Sequence, residues 1–580
     1  MSLEDFALIL IGLGALIGLV AVVYAIRKAF SRGAGELGGW EVAGARQIIT
    51  AIARTTLTEG LRTKIASGFV IMVVASVPIF WLTADGDGTI KGRVQMFMTY
   101  SVGFSSFILS LLSVLFSCRS LSNEIAGRQI FGIVSKPVPR WQIVMGKFFG
   151  VMTLNVVMVA YVGVTTFAGT RGLVSQFKSR VQSEFVTYAG YSPEQAANAV
   201  AALDDVRGVG KEGMESPILE AMSKATGFTI QQLAESLLKM PEATRADLRR
   251  FDELRRQVLV ARTAIQPPIP EEEIARRVEA RFNQMKADGE LPITQSEREI
   301  RDQLNKQFFG QFCTVVYQDS RMWVFEGPPP QKGKDYIMSV RFKMHIPQGL
   351  NDFSDPETGA KLEEDTLLSL WGIGDPKTAN YYEYLGAVPA RTTKEFEFPM
   401  DAVDPNGTIK LRFANLDPRR VDVVFDLAKD ALEVLYRVGS FEMNLFEACL
   451  AVLIPLACLT AFGVCASTFL SFPVGALLVL CLFMITSSMG FIFESMAITE
   501  DYMPEDPGVE VQIRKAVIES IDWALSIGDI AVTDQLMEGR AIGWDRLWSN
   551  AWRFLLLKTG AALFIAVLVL RRRELAAVIV

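Results

Sequence analysis

Residues 123–150 read "NEIAGRQIFGIVSKPVPRWQIVMGKFFG". The stretch holds a carboxylate, four basic residues, glycines and two prolines, and it bridges two strongly apolar runs, one ending near Cys118 and the next starting near Ile143. A membrane helix needs about 20 apolar residues to cross the hydrocarbon core. Polar stretches of this length between two such runs read as the turn between two spans. The first part can continue as a short helix, with Glu124 and Arg128 at the i,i+4 spacing of an ion pair. Pro137 and Pro139 cannot continue a helix and end it. Arg140, Trp141 and Lys147 then suit a membrane interface, where amphipathic side chains keep their polar ends in water.

Working outward, the hydropathy pattern gives seven candidate spans, at residues 6–26, 65–84, 96–118, 143–168, 445–466, 473–494 and 552–570. The whole chain has 580 residues, of which 50% are hydrophobic and 21% charged. Its mean hydropathy is +0.27. Such a balance fits a membrane protein with a large water-exposed part. Between Arg171 and Ser440 the sequence holds 35 Lys and Arg against 41 Asp and Glu, so the charge collects there. No basic surplus marks a nucleic-acid partner.

Orientation follows from the basic residues. The leader "MSLEDF" is acidic, and Arg27, Lys28 and Arg32 follow the first span, which is unlike a signal peptide. The positive-inside rule then sets the N-terminus outside and the C-terminus, with Arg571, Arg572 and Arg573, in the cytoplasm. The 119–142 loop falls inside, and the insert at 170–440 and the acidic loop at 496–551 fall outside.

The insert divides in two. Over 169–311 apolar residues recur at three- and four-residue steps, as in "SPEQAANAVAALDDV" and "PEATRADLRRFDELRRQVLVARTAI", which predicts helices. Ser192 and Thr229 stand at N-cap positions and Pro193 at a first helical position. Over 312–440 short alternating segments such as "RMWVFEG" and "TIKLRFANL" are separated by Gly, Pro and Asp turns, which predicts a β-sandwich-like part. Trp323, Trp371 and Tyr382 are candidates for a ligand groove, against the plainer reading that they pack a core.

The sequence is poor in catalytic groups. His345 is the one histidine, the six cysteines form no CxxC pair, and five of them lie in or beside apolar runs. "RGVGKEG" (207–213) lacks the first glycine of a phosphate loop, and no Walker motif occurs, so no ATP hydrolysis and no metal or cofactor site is expected in this chain.

The order Glu124, Gly127, Pro137, Arg140 and Gly146-Lys147 resembles the cytoplasmic loop of type-2 ABC exporter permeases. "ITAIARTTLTEGLRTK" (49–64), with Glu59, Arg62 and Lys64, is similar to the amphipathic helix that precedes the first core span of that family, and "RRREL" to the close of its last span. The resemblance covers 46–168 and 441–575. It implies an α-helical polytopic membrane protein: an extra N-terminal span over 1–45, a six-span permease core split into 46–168 and 441–580, and the α+β insert between them. It also implies a plasma (inner) membrane location, a separate cytoplasmic ABC ATPase subunit that carries ATP and Mg, and a second permease half, from a homodimer or a related permease. On this resemblance Glu124, Gly127 and Arg128 face the ATPase, Pro137 fixes the turn, and Arg140 and Lys147 anchor the return at the lipid interface. Glu59, Arg62 and Lys64 belong to a helix lying in the interface plane. The insert departs from the simplest members of the family and leaves the cargo open. The competing expectation is a membrane-anchored binding or assembly protein whose insert captures a glycan or protein outside.

Overall fold

The structure is a computed structural model. It describes residues 40–127, 138–205, 217–291, 296–327, 337–346, 353–354, 361–362, 366–378, 380–425, 427, 431–502 and 532–572. The first candidate span, at 6–26, lies outside the described residues, as does "RGVGKEG".

The first four helices are α1 (Trp40–Arg62), α2 (Lys64–Thr83), α3 (Ile90–Ala126) and α4 (Arg140–Ala189). α2 begins where Thr63 leaves helical geometry and its hydroxyl accepts from the Ala66 amide. The expected spans at 96–118 and 143–168 are the middles of longer rods. At 1.5 Å per residue, α4, with 50 residues, is roughly 75 Å long. A bilayer core takes up roughly 30 Å of that length. The helix therefore does not end at 168 but carries the chain on into the insert, where Gly190 caps it at φ +72°.

The insert is assembled on that extension. Helices α5 (Pro193–Ala201), α6 (Pro217–Thr226), α7 (Ile230–Leu238) and α8 (Glu242–Glu253) share one apolar core with the far half of α4. Phe177 of α4 stacks on Phe251 of α8, with ring centroids 5.0 Å apart. Ser192 and Thr229 both close capping boxes, with Gln195 and Gln232 as their partners. The helix expected to run on to Ile265 instead stops. A π-turn at Leu254–Val258 ends it, and "VARTAI" becomes strand β1 (Val260–Ile265). The β-rich part therefore draws one strand from upstream of the expected 312 boundary. α9 (Glu271–Asp288) and α10 (Glu297–Cys313) form a small hairpin with its own apolar contacts.

The remaining strands are β2 (Thr314–Val315), β3 (Ser320–Glu326), β4 (Ile337–Phe342), β5 (Phe353–Ser354), β6 (Lys361–Leu362), β7 (Thr366–Ile373), β8 (Tyr382–Pro389), β9 (Lys394–Pro399), β10 (Thr408–Asn415), β11 (Val423–Val424) and β12 (Leu432–Ser440). Two four-stranded antiparallel sheets, ordered β1-β12-β4-β9 and β3-β10-β7-β8, enclose a shared core. Phe342 of the first sheet meets Trp371 of the second at 4.3 Å between centroids. Alternation along β4 sends Met338, Val340 and Phe342 into this core and leaves Ser339 and Arg341 on the opposite face.

That opposite face is charged and packs against the helical half and the segment that follows residue 531. β12 leads without a break into α11 (Phe441–Phe469), whose first turn is capped by the Ser440 hydroxyl. α12 (Phe472–Tyr502), α13 (Val532–Met537), α14 (Trp544–Ala551), a π segment (Trp552–Thr559) and α15 (Gly560–Arg572) complete the described chain. Among the described residues, five helical stretches are by length and composition able to cross a membrane: α2, α3, α4, α11 and the continuous run Trp544–Arg572. A shorter apolar stretch lies at Phe472–Ser488 of α12. The protein is thus mostly helical, with several membrane-length apolar helices and a β-rich insert.

Candidate functional site

α3 and α4 flank the polar loop with which the sequence reading began. Residues 128–137, including Arg128 and Pro137, lie outside the described residues. α3 closes at Gly127, whose amide donates to the Asn123 carbonyl at 2.8 Å. One turn earlier, Glu124 points inward. It is 7% exposed and bonded to Lys147 of α4, which is 1% exposed. Both side chains turn into the bundle and toward each other. Each is held inside because an unpaired charge at such a depth costs several kcal/mol, which pairing offsets. The exposed positions at this end of α3 are Asn123, Ala126 and Gly127.

Arg140, at the first turn of α4, donates to the carbonyls of Leu570 and Arg571, the latter at 2.7 Å. These carbonyls lie in the last described turn of α15, where a cation suits the negative end of the helix dipole. Beneath these polar ties, Leu121, Ile143, Val144, Ala461, Ala566 and Leu570 bury one another. The loop's two ends are thereby fastened to α3, α4, α11 and α15 together.

α1 lies against the same region. A Cβ on Gly146 would come 2.7 Å from the Ile52 Cβ, and one on Gly150 would come 2.8 Å from the Ala53 carbonyl oxygen. The "GKFFG" spacing is therefore a close helix crossing in which only glycine fits. Ala53 and Thr56 form the buried face of α1, while Glu59 and Arg62 at its end and Lys64 at the start of α2 are exposed. This mixed character agrees with the amphipathic helix expected over 49–64, although α1 starts nearer Trp40.

Deeper in the bundle, Asn155 of α4 donates to Ser113 of α3 at 2.8 Å and to Thr460 of α11 at 3.4 Å. One amide thus ties three helices. The sequence signal was present: an asparagine in the middle of an apolar run is costly unless it is paired inside the bundle. Lys147 carried the same signal.

The tryptophans proposed for a ligand groove belong to the sandwich core. Trp371 is 0% exposed among Phe342, Phe413 and Phe425, and Trp323 packs edge-on to Phe425. Tyr382 sits at the sheet margin, where its hydroxyl donates to Asp401 at 2.9 Å. Burial and this carboxylate push its phenol up to about 12. These three residues do not line a common groove. Among the described residues no group of three or more His, Cys, Asp or Glu side chains is placed to hold a metal ion.

Comparison with protein-family models, with curated proteins and with solved structures returns no match. The two ends that flank residues 128–137 are tied to several membrane-length helices.

Proposed function

We propose that this chain is the transmembrane subunit of an ABC exporter, in which a separate cytoplasmic ATPase docks on the 119–142 loop and supplies ATP hydrolysis. The observation that carries the reading is the joint. Glu124–Lys147 and Arg140 with the end of α15 fix the loop to α3, α4 and α15, so a displacement of the loop moves these helices as a unit. The sequence resemblance of 46–168 and 441–575 to type-2 permeases supports it. Docking then falls on the exposed Asn123, Ala126 and Gly127 and on the loop itself, while Glu124 acts as an internal strut. A second permease half completes the path, and the insert lies on the opposite side of the plasma membrane. The grounds for a glycan- or protein-capturing insert weaken, because the tryptophans that suggested it are core residues.

The test is co-purification from the native membrane followed by an ATPase assay in nanodiscs. Asn123→Cys and Ala126→Cys should cross-link to a Walker-motif subunit. Recovery of the chain without any nucleotide-binding partner, and without cross-links at both positions, sinks the proposal.

A further inference from the structure

At the end of α3 remote from Glu124, an open cleft of about 660 Å³ lies between the charged sheet face, the helical half of the insert and the 537–540 segment. Lys91, the second residue of α3, is on its wall, so the cleft opens where this helix leaves its membrane-length apolar run. Seven Lys and Arg side chains line it against four Glu.

The cleft is a built structure. Along one row of the sheet, Arg341 of β4 stands opposite Glu433 of β12 and Glu395 of β9. Arg341 also reaches Glu538 at 2.5 Å, and Arg540 bonds Glu433 at 2.5 Å. The 538–541 segment is held in place by backbone pairing with β1: the Arg262 amide donates to Gly539 at 2.8 Å, and Ala541 donates to Arg262 at 2.7 Å. Gly539 approaches the Gln257 carbonyl so closely that no Cβ fits there.

These pairs, with Glu253 held by Lys91 and Arg250, consume the four carboxylates and leave positive charge over. Lys343, just past the end of β4, and Lys394, at the start of β9, are exposed at the rim and have no carboxylate partner among the described residues. At the base, Arg262 is 4% exposed and bonded to Glu395, which fixes positive charge beneath the cleft. Surplus positive charge with two unpaired ammonium groups at the rim calls for an anionic acceptor. A surplus of three charges suits a doubly charged group better than a single carboxylate. The volume lies within the range of ligand sites and exceeds what a bare ion fills.

We propose that this cleft binds the phosphate group of a larger polar molecule, with Lys343 and Lys394 as the donors at its rim. The inference stands independently of the transport reading. Phosphate reaches this height from a lipid headgroup or from a soluble phosphate ester, and the experiment separates the two. The full-length protein is placed in phosphatidylcholine nanodiscs and titrated calorimetrically with glycerol phosphate, inorganic phosphate and acetate. In a second arm it is placed in nanodiscs containing phosphatidylglycerol, and retained lipid is read by native mass spectrometry.

Glycerol phosphate binding in the first arm, or phosphatidylglycerol retention in the second, supports the site and identifies the source. In whichever arm binds, Lys343→Gln/Lys394→Gln should weaken it about tenfold, as the loss of two charge-assisted contacts implies, with an unchanged thermal midpoint because both residues are exposed. No binding in either arm, acetate binding as tight as glycerol phosphate, or full affinity in the double rim variant overturns the proposal.

Discussion

Glu124 and Lys147, 23 residues apart in sequence, form an ion pair between the end of α3 and the second turn of α4, with both side chains withdrawn from solvent. The pair closes the root of a polar loop whose charges otherwise look free. It converts two residues that suggest a surface into a strut within the bundle.

Removing one partner should harm more than removing both. Lys147→Met leaves a buried carboxylate unpaired and should lower stability by about 3–5 kcal/mol. Glu124→Leu with Lys147→Met replaces the pair by apolar volume and should recover most of that loss. Fluorescence-detected thermal unfolding in detergent ranks the variants. A double variant less stable than Lys147→Met alone contradicts the assignment.

The α1–α4 crossing should be intolerant of side chains. Gly150→Leu drives atoms into the Ala53 carbonyl and Thr56, and overpacking of this kind costs about 1–3 kcal/mol. Gly68, inside α2, has no atom within 4 Å of a built Cβ. Gly68→Ala should leave stability unchanged or raise it by about 0.5–1 kcal/mol through helix propensity. The same melting assay, run on both variants, checks that the two glycines differ in sign.

Trp371 should behave as a core residue. Its truncation to alanine opens a large void beneath both sheets and should cost about 3–5 kcal/mol. Hydrogen exchange across β7 and β10 would rise together with it. Unchanged protection there would return Trp371 to the status of a ligand-facing side chain.

The sandwich should carry an acid-sensitive latch at Asp417. Burial opposes its charge, but the Arg419 guanidinium and the Arg419 and Leu368 amides outweigh that and hold the carboxyl below the usual range. A depressed folded value means that its contribution is present above the unfolded pKa, about 3.9, and is lost as pH falls through the folded value. Thermal midpoints of the full chain should therefore fall below about pH 4, and Asp417→Asn should flatten this part of the profile. An identical slope in the variant would assign the acid sensitivity to other carboxylates.

The candidate site was half legible. Gly146 and Lys147 attract attention in the sequence because glycine and lysine are unusual at the start of an apolar run, but the reason for each lies in another helix. Gly146 is small because Ile52 of α1 is against it, and Lys147 is charged because Glu124 faces it. Arg140 is recognisably an anchor in sequence, yet what it anchors is the end of α15, some 430 residues away. Strand β1 was hidden because "RRQVLVARTAI" keeps helical spacing until β12 offers it a ladder.

What the sequence determined by itself is what local physics encodes: apolar runs long enough for a bilayer, the capping residues Ser192 and Thr229, and the change from helical spacing to alternation across the insert. Hydrophobic length, caps and turn chemistry act within a few residues and so can be read from them. Only the tertiary structure decided which charges are buried against each other, where α4 stops, that Trp371 is core, and that β1, β12, β4 and the 538–541 segment converge on one charged cleft. Those outcomes depend on contacts between residues far apart in the chain, where burial sets the worth of a charge and the partner is absent from any local window.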